Sequence, residues 1–108
     1  MLAYIEAVTM RESDWKLFRE LQRTALQRFC ERVLGELSEI AVDSTRTPHE
    51  RYLAVVELVR QRDSALADAF DNPRRSTATL QLRTIYSKGL LTEEEFARFS
   101  SETRDAII

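Results

Sequence analysis

Apolar side chains recur at steps of three and four residues through the first part of the chain, which is the spacing of one face of an α-helix. This face contains Trp15, Phe18, Leu21, Ala25, Phe29, Val33, Leu37 and Ile40. Ser13 is a favourable N-cap and Asp14 adds negative charge to the first turn, while Thr9 begins an alternative, earlier capping box. The pattern predicts a first helix over residues 13–41, about 40 Å long at the α-helical rise.

A second helix is predicted over residues 48–70. Thr47 is its N-cap, Pro48 takes the first helical position, where no backbone N–H is needed, and Glu50 completes a capping box. Its apolar face contains Tyr52, Val55, Val56, Val59, Leu66 and Phe70. Because only a short polar segment separates the two long helices, we expect them to form an antiparallel hairpin.

A third helix is predicted over residues 73–88. Pro73 again suits the first helical position, and Asp71 or Asn72 supplies the cap. Gly89 has the residue type that commonly ends a helix in a left-handed conformation.

The two ends of the chain complete the pattern. Thr92 and Glu95 form another capping box, which opens C-terminal helices over residues 93–107. Residues 1–12 contain β-branched side chains without a second strand to pair with, so we expect a short helix or an extended arm.

Composition supports one helical domain over residues 1–108. The chain has 108 residues, of which 44% are hydrophobic and 31% charged, as in a globular domain. Two glycines and two prolines are too few for the tight turns of a β-sandwich. The predicted fold class is therefore all-α, a four- or five-helix bundle built on the long antiparallel hairpin.

Charge and hydropathy limit the partners. A formal net charge of −2 provides no overall basic field to attract nucleic acid or an anionic membrane. No stretch approaches the roughly 18 apolar residues of a membrane span, and the N-terminus lacks the pattern of a secretory signal. We expect a cytoplasmic protein without a membrane partner.

The residue types needed for catalysis or metal binding are sparse. Cys30, the only cysteine, lies within the apolar face of the first helix, where a packing role is expected. His49, the only histidine, is expected to be exposed in the first turn of the second helix. No Glu-x-x-His pair and no glycine-rich phosphate loop occurs in the sequence. We therefore predict no catalytic residue, no metal site and no cofactor.

One polar cluster is a candidate site. Asp63 falls on the apolar stripe of the second helix, and a carboxylate that faces a core must be paired. Arg74 and Arg75, at the predicted start of the third helix, are the natural partners. We expect Asp63 to be partly buried and bridged to one of them. The three residues also form a candidate anion-binding cluster for a small ligand-binding or catalytic bundle.

A helix-turn-helix is the nucleic-acid alternative. The third helix, the turn after Gly89 and the helix after Thr92 match such a unit in outline. However, three glutamates open the helix that would enter the groove, and they would repel phosphates. This composition argues against a nucleic-acid partner.

The segment LRTIYSKGLLTEEEF, from Leu82 to Phe96, resembles the short C-terminal helical hairpin known as SHOCT. The resemblance lies in an amphipathic helix, a glycine turn, an apolar pair, then Thr92 and acidic residues before Phe96. It ends there, because residues 97–100 replace the usual lysine-rich continuation. Such a resemblance implies an interaction or oligomerisation role. As a whole, the chain resembles small all-helical bacterial proteins, which implies no particular activity.

The width of the apolar arc on the first helix suggests a function. Leu17, Leu26, Cys30 and Leu34 flank the main stripe, so the helix needs cover on more than one side. In a small chain a second copy can supply that cover. We predict a non-enzymatic protein–protein interaction or homo-oligomerisation module, such as a homodimer. The polar-cluster bundle and the nucleic-acid binder remain the alternatives.

Overall fold

The computed structural model describes residues 9–108, which contain five α-helices and no β-strand. They are α1 (Glu12–Ala41), α2 (Pro48–Phe70), α3 (Ala78–Ser87), α4 (Glu93–Phe96) and α5 (Ser101–Ile107). The all-α class predicted from the sequence is confirmed. Residues 1–8, most of the N-terminal segment for which a short helix or an extended conformation was predicted, lie outside the described residues.

The capping signals act where the sequence places them. At the start of α2, the backbone N–H of Glu50 donates to Thr47 Oγ1 (3.1 Å), and the N–H of Thr47 donates to Glu50 Oε1 (2.8 Å). Thr92 and Glu95 make the same reciprocal pair before α4, at 3.0 and 2.8 Å. Gly89 has a φ of 69°, which glycine adopts without steric cost, and it reverses the chain after α3.

The start of α1 differs from the prediction. Its N-cap is Arg11, which makes no side-chain capping hydrogen bond, so the caps predicted at Ser13 and Thr9 are both wrong. Asp14, which was expected only to add charge to the first turn of α1, is instead buried and bonded to Ser100 and Thr103.

The start of α3 also differs, since the helix begins at Ala78 rather than at position 73. Asn72 has a φ of 48°, and the following residues form a separate turn closed by the Thr77 N–H on the carbonyl of Arg74, at 3.0 Å. The left-handed residue turns the chain, so Pro73 does not start a continuous helix.

The core occupies one end of the molecule. It joins the N-terminal half of α1 to the C-terminal end of α2 and to the three short helices. Its largest fully buried side chains are Phe18, Leu82, Ile85, Leu90 and Phe99. No residue from 30 to 68 is buried. We call this segment, the C-terminal part of α1 and most of α2, the arm.

The molecule is elongated as a result, with principal extents of 53 × 30 × 20 Å. Its radius of gyration is 17.1 Å, compared with about 13 Å for a compact chain of this length. Hydrogen bonds between α1 and α2 pair residues in opposite chain order. Gln22 bonds Ala69, Glu36 bonds Arg62, and Ala41 bonds Arg51.

Candidate interaction face and the predicted polar cluster

The structure does not bring the predicted polar cluster together. Asp63 is exposed on α2 and makes no ion pair within residues 9–108. The expected buried bridge from Asp63 to Arg74 or Arg75 is therefore wrong. Only Ala69 and Phe70, at the C-terminal end of α2, are buried. The part of the apolar stripe that contains Asp63 therefore lies outside the core.

The two arginines have other partners. Arg75 Nε donates to the carbonyl of Met10 (2.7 Å) and its Nη1 donates to Glu12 Oε1 (2.8 Å), so this side chain holds the start of α1. With the amide of Asn72 oriented to accept, Arg74 donates to the Asn72 side-chain oxygen at 3.1 and 3.2 Å. Both arginines lie in the turn before α3 rather than in its first helical turn.

Asp14 is the buried carboxylate that the sequence analysis missed. It is 3% exposed and accepts from Ser100 N (3.1 Å), Ser100 Oγ (2.5 Å) and Thr103 Oγ1 (2.7 Å). Burial acts to raise the pKa of Asp14, but the hydrogen bonds from Ser100 and Thr103 outweigh it and hold the pKa below its ordinary value. The carboxylate thereby ties the start of α1 to the start of α5.

A sequence signal for Asp14 did exist. It precedes Phe18 by four residues and so continues the stripe that contains Leu21 and Ala25. Asp14 therefore lies on an apolar stripe, as Asp63 does. The reasoning applied to Asp63 predicts a paired, buried carboxylate at position 14 as well.

Two arginines of α1 hold the turn between α3 and α4. Arg28 binds Glu95 through both terminal nitrogens (2.7 and 2.9 Å) and donates to the carbonyl of Leu90 (2.9 Å). Arg32 donates to the carbonyls of Lys88 (2.6 Å) and Gly89 (2.8 Å). These bonds satisfy the carbonyls of the C-cap residue Lys88 and of the two loop residues that follow it. The Arg28 guanidinium also lowers the pKa of Glu95 to about 2.

We expect stability to fall as the pH drops below about 4.5. Glu95 keeps its charge in the folded chain down to about pH 2, whereas in the unfolded chain it binds a proton near its ordinary pKa of 4.5. The unfolded state therefore takes up protons first, and the stabilisation present above pH 4.5 is lost towards pH 2. Because Arg28 is partly exposed, we expect a loss of about 1–2 kcal/mol.

Urea unfolding at pH 6, 4.5 and 3 measures this loss. Glu95→Gln keeps the capping geometry and should reduce the dependence of stability on pH, with a remainder from Asp14, Glu36 and Asp43, whose pKa values are also lowered. An unchanged pH dependence in Glu95→Gln would contradict the assignment.

The arm presents an apolar surface that residues 9–108 cover only in part, since Cys30, Leu37 and Leu66 are half-buried there. Tyr52, Val59 and Leu66 share one face of α2 by their spacing of seven, and Cys30, Leu34 and Leu37 share one face of α1. We call these six residues the arm face. Leu34 is 60% exposed, Tyr52 65% and Val59 38%, so the predicted inward position of Tyr52 is wrong.

A shallow cleft of about 200 Å³ crosses this surface between the two helices. Its lining includes Cys30, Leu34, Val59 and Leu66, with Asp63 and Arg62 as its charged members. Cys30 is partly buried there and packs against the edge of the core, in line with its expected packing role. The cleft is mainly apolar, and it can bury side chains from another surface.

No group of three or more His, Cys, Asp or Glu side chains within residues 9–108 is arranged to hold a metal ion. Among the five helices, none has a segment long and apolar enough to cross a membrane. His49 is exposed in the first turn of α2, as predicted.

The helix-turn-helix alternative is not favoured by the geometry. The helix that would enter the major groove is α4, which spans only Glu93–Phe96 and has three acidic residues in its first turn.

Known proteins do not add to this account. No protein-family profile matches the chain, and no curated protein and no solved structure matches it either.

Proposed function

We propose that the chain is a homodimerisation module whose docking surface is the arm face. The observation that carries the proposal is the absence of any buried residue from 30 to 68, in a segment whose helices nevertheless have apolar stripes. An apolar helix face of this length is normally covered. The core lies at the other end of the molecule, so within one copy it leaves this face open.

The arrangement that we propose is a bundle shared between two copies. The opposite chain order of the contacts between α1 and α2 supports an antiparallel hairpin. Two such hairpins that pack face to face would make four helices around a common apolar seam. Spacings of seven on α2, and of four and three on α1, are those of helices that pack in such seams.

The size of the arm face fits a second copy. At the α-helical rise, the part of α1 within the arm, residues 30–41, is about 18 Å long, and two adjacent helices are about 20 Å wide. The face therefore projects about 360 Å², less than the roughly 800 Å² per partner of a standard interface, so we expect a modest and reversible dimer. In a two-fold dimer the arm face of each copy packs against the arm face of the other, so no different partner is needed.

The other predicted functions lose support by comparison. A ligand-binding or catalytic cluster of Asp63, Arg74 and Arg75 requires side chains that the structure separates. The resemblance of residues 82–96 to SHOCT is compatible with oligomerisation, although that segment binds Arg28 and Arg32 of α1 rather than the arm face. A cytoplasmic location and the absence of enzymatic activity remain part of the proposal.

Sedimentation equilibrium tests the proposal. We expect a reversible monomer–dimer equilibrium between about 1 and 500 μM, the range typical of modest interfaces. A monomer at all these concentrations would refute it.

Cys30, the only thiol, shows where the interface lies. If the arm faces meet, its alkylation by a maleimide should slow as the dimer forms. Alkylation that stays equally fast in the dimer would place the interface elsewhere and overturn the proposed docking surface.

A further inference from the structure

A second cleft lies on the other side of the contact between α1 and α2, next to the end of α3, and has a volume of about 420 Å³. We call it the cationic cleft; its lining is Phe29, Arg32, Val33, Glu36, Arg62, Ala65 and Lys88. We infer that the cationic cleft binds a small organic anion, in which a carboxylate or phosphate group is attached to a short apolar body.

The balance of charge favours an anion. Three cationic side chains line the cleft, whereas Glu36 is its only carboxylate. Arg62 binds Glu36 through Nε (3.0 Å) and Nη2 (2.8 Å), which leaves Nη1 without a partner in the described part of the chain. The ammonium group of Lys88 makes no ion pair within residues 9–108. An anion would supply the missing counter-charge.

Arg32 is held in place before any ligand binds. Its two terminal nitrogens donate to the carbonyls of Lys88 and Gly89, at 2.6 and 2.8 Å, so its charge stays beside the cleft without a carboxylate partner. A cation that is already positioned loses little side-chain entropy on binding. The same bonds fix the backbone that carries Lys88.

The apolar lining determines the rest of the ligand. Val33 and Ala65, both half-buried, form the apolar part of the lining together with the nearly buried Phe29. They offer a surface to a ring or short alkyl group, which inorganic phosphate lacks. The cleft volume lies within the range of about 300–1,000 Å³ typical of small-molecule sites.

Titration with three probes tests this inference on the full chain at about 0.15 M salt, where weak surface attraction is screened. We expect phenyl phosphate or benzoate to bind saturably, with backbone amide NMR shifts around residues 29–36 and 88–89. Inorganic phosphate should bind at least tenfold more weakly.

Two lysine variants provide the matched comparison, because Lys16 and Lys88 are the only lysines in the sequence. Lys88→Ala should weaken binding at least fivefold, whereas Lys16→Ala, on the exposed side of α1, should leave it unchanged. Circular dichroism checks that both variants are folded.

Three results would overturn the inference: no saturable binding of either organic probe, equal weakening by both lysine variants, or inorganic phosphate binding as tightly as phenyl phosphate.

Discussion

Asp14→Ala is expected to lower the free energy of unfolding by about 3 kcal/mol. The substitution removes the acceptor of three hydrogen bonds and leaves Ser100 and Thr103 with unpaired donors beside the core. At roughly 4 °C or more per kcal/mol for a domain of this size, Tm should fall by at least about 12 °C. Urea unfolding and thermal circular dichroism measure both changes.

Asp63→Ala is the matched control, because Asp63 is also an aspartate on a long helix but is exposed and unpaired among the described residues. It should change stability by less than about 0.5 kcal/mol. Asp14→Asn keeps the shape and one acceptor oxygen, so we expect a loss between those of the two alanine variants. If Asp14→Ala and Asp63→Ala were equally stable, the role assigned to Asp14 would be wrong.

Leu34→Glu is expected to raise the dissociation constant of the dimer at least about thirtyfold. Leu34 lies in the middle of the arm face and is 60% exposed in one copy, so a charge there costs little in the monomer. In the dimer the same charge would be desolvated without a partner, and a two-fold interface contains it twice. Sedimentation equilibrium measures the change.

Leu80→Glu controls for the general effect of adding a glutamate. Leu80 is 58% exposed, nearly the same fraction as Leu34, but it lies on α3 and outside the arm face. The dissociation constant of the Leu80→Glu dimer should equal that of the unmodified chain. If both variants weakened the dimer equally, or if neither did, the arm face would not be the docking surface.

Local chemistry made much of the secondary structure predictable. The capping boxes at Thr47 and Thr92 and the left-handed Gly89 act within a few residues, so their effect does not depend on the rest of the fold. The start of α3 was mispredicted because a proline after a capping residue fits a helix start and a turn equally well. Only the positive φ of Asn72 distinguishes them here.

The candidate site was less predictable, as the two aspartates show. Asp14 and Asp63 both interrupt apolar stripes, and the stripe alone assigns them the same environment. In the structure Asp14 is 3% exposed and bonded to α5, while Asp63 lies on the open arm. The difference comes from where the C-terminal helices pack, which is a long-range contact that helical periodicity does not contain.

The order of residues is enough to predict that residues 9–108 are helical, where most of their helices begin and end, and which side of each long helix is apolar. Which part of those apolar sides is covered depends on how the helices pack. Helix formation follows from contacts three or four residues apart, whereas burial needs partners from elsewhere in the chain. The three short helices are too few to cover both ends of α1, and the arm face is the part that they leave open.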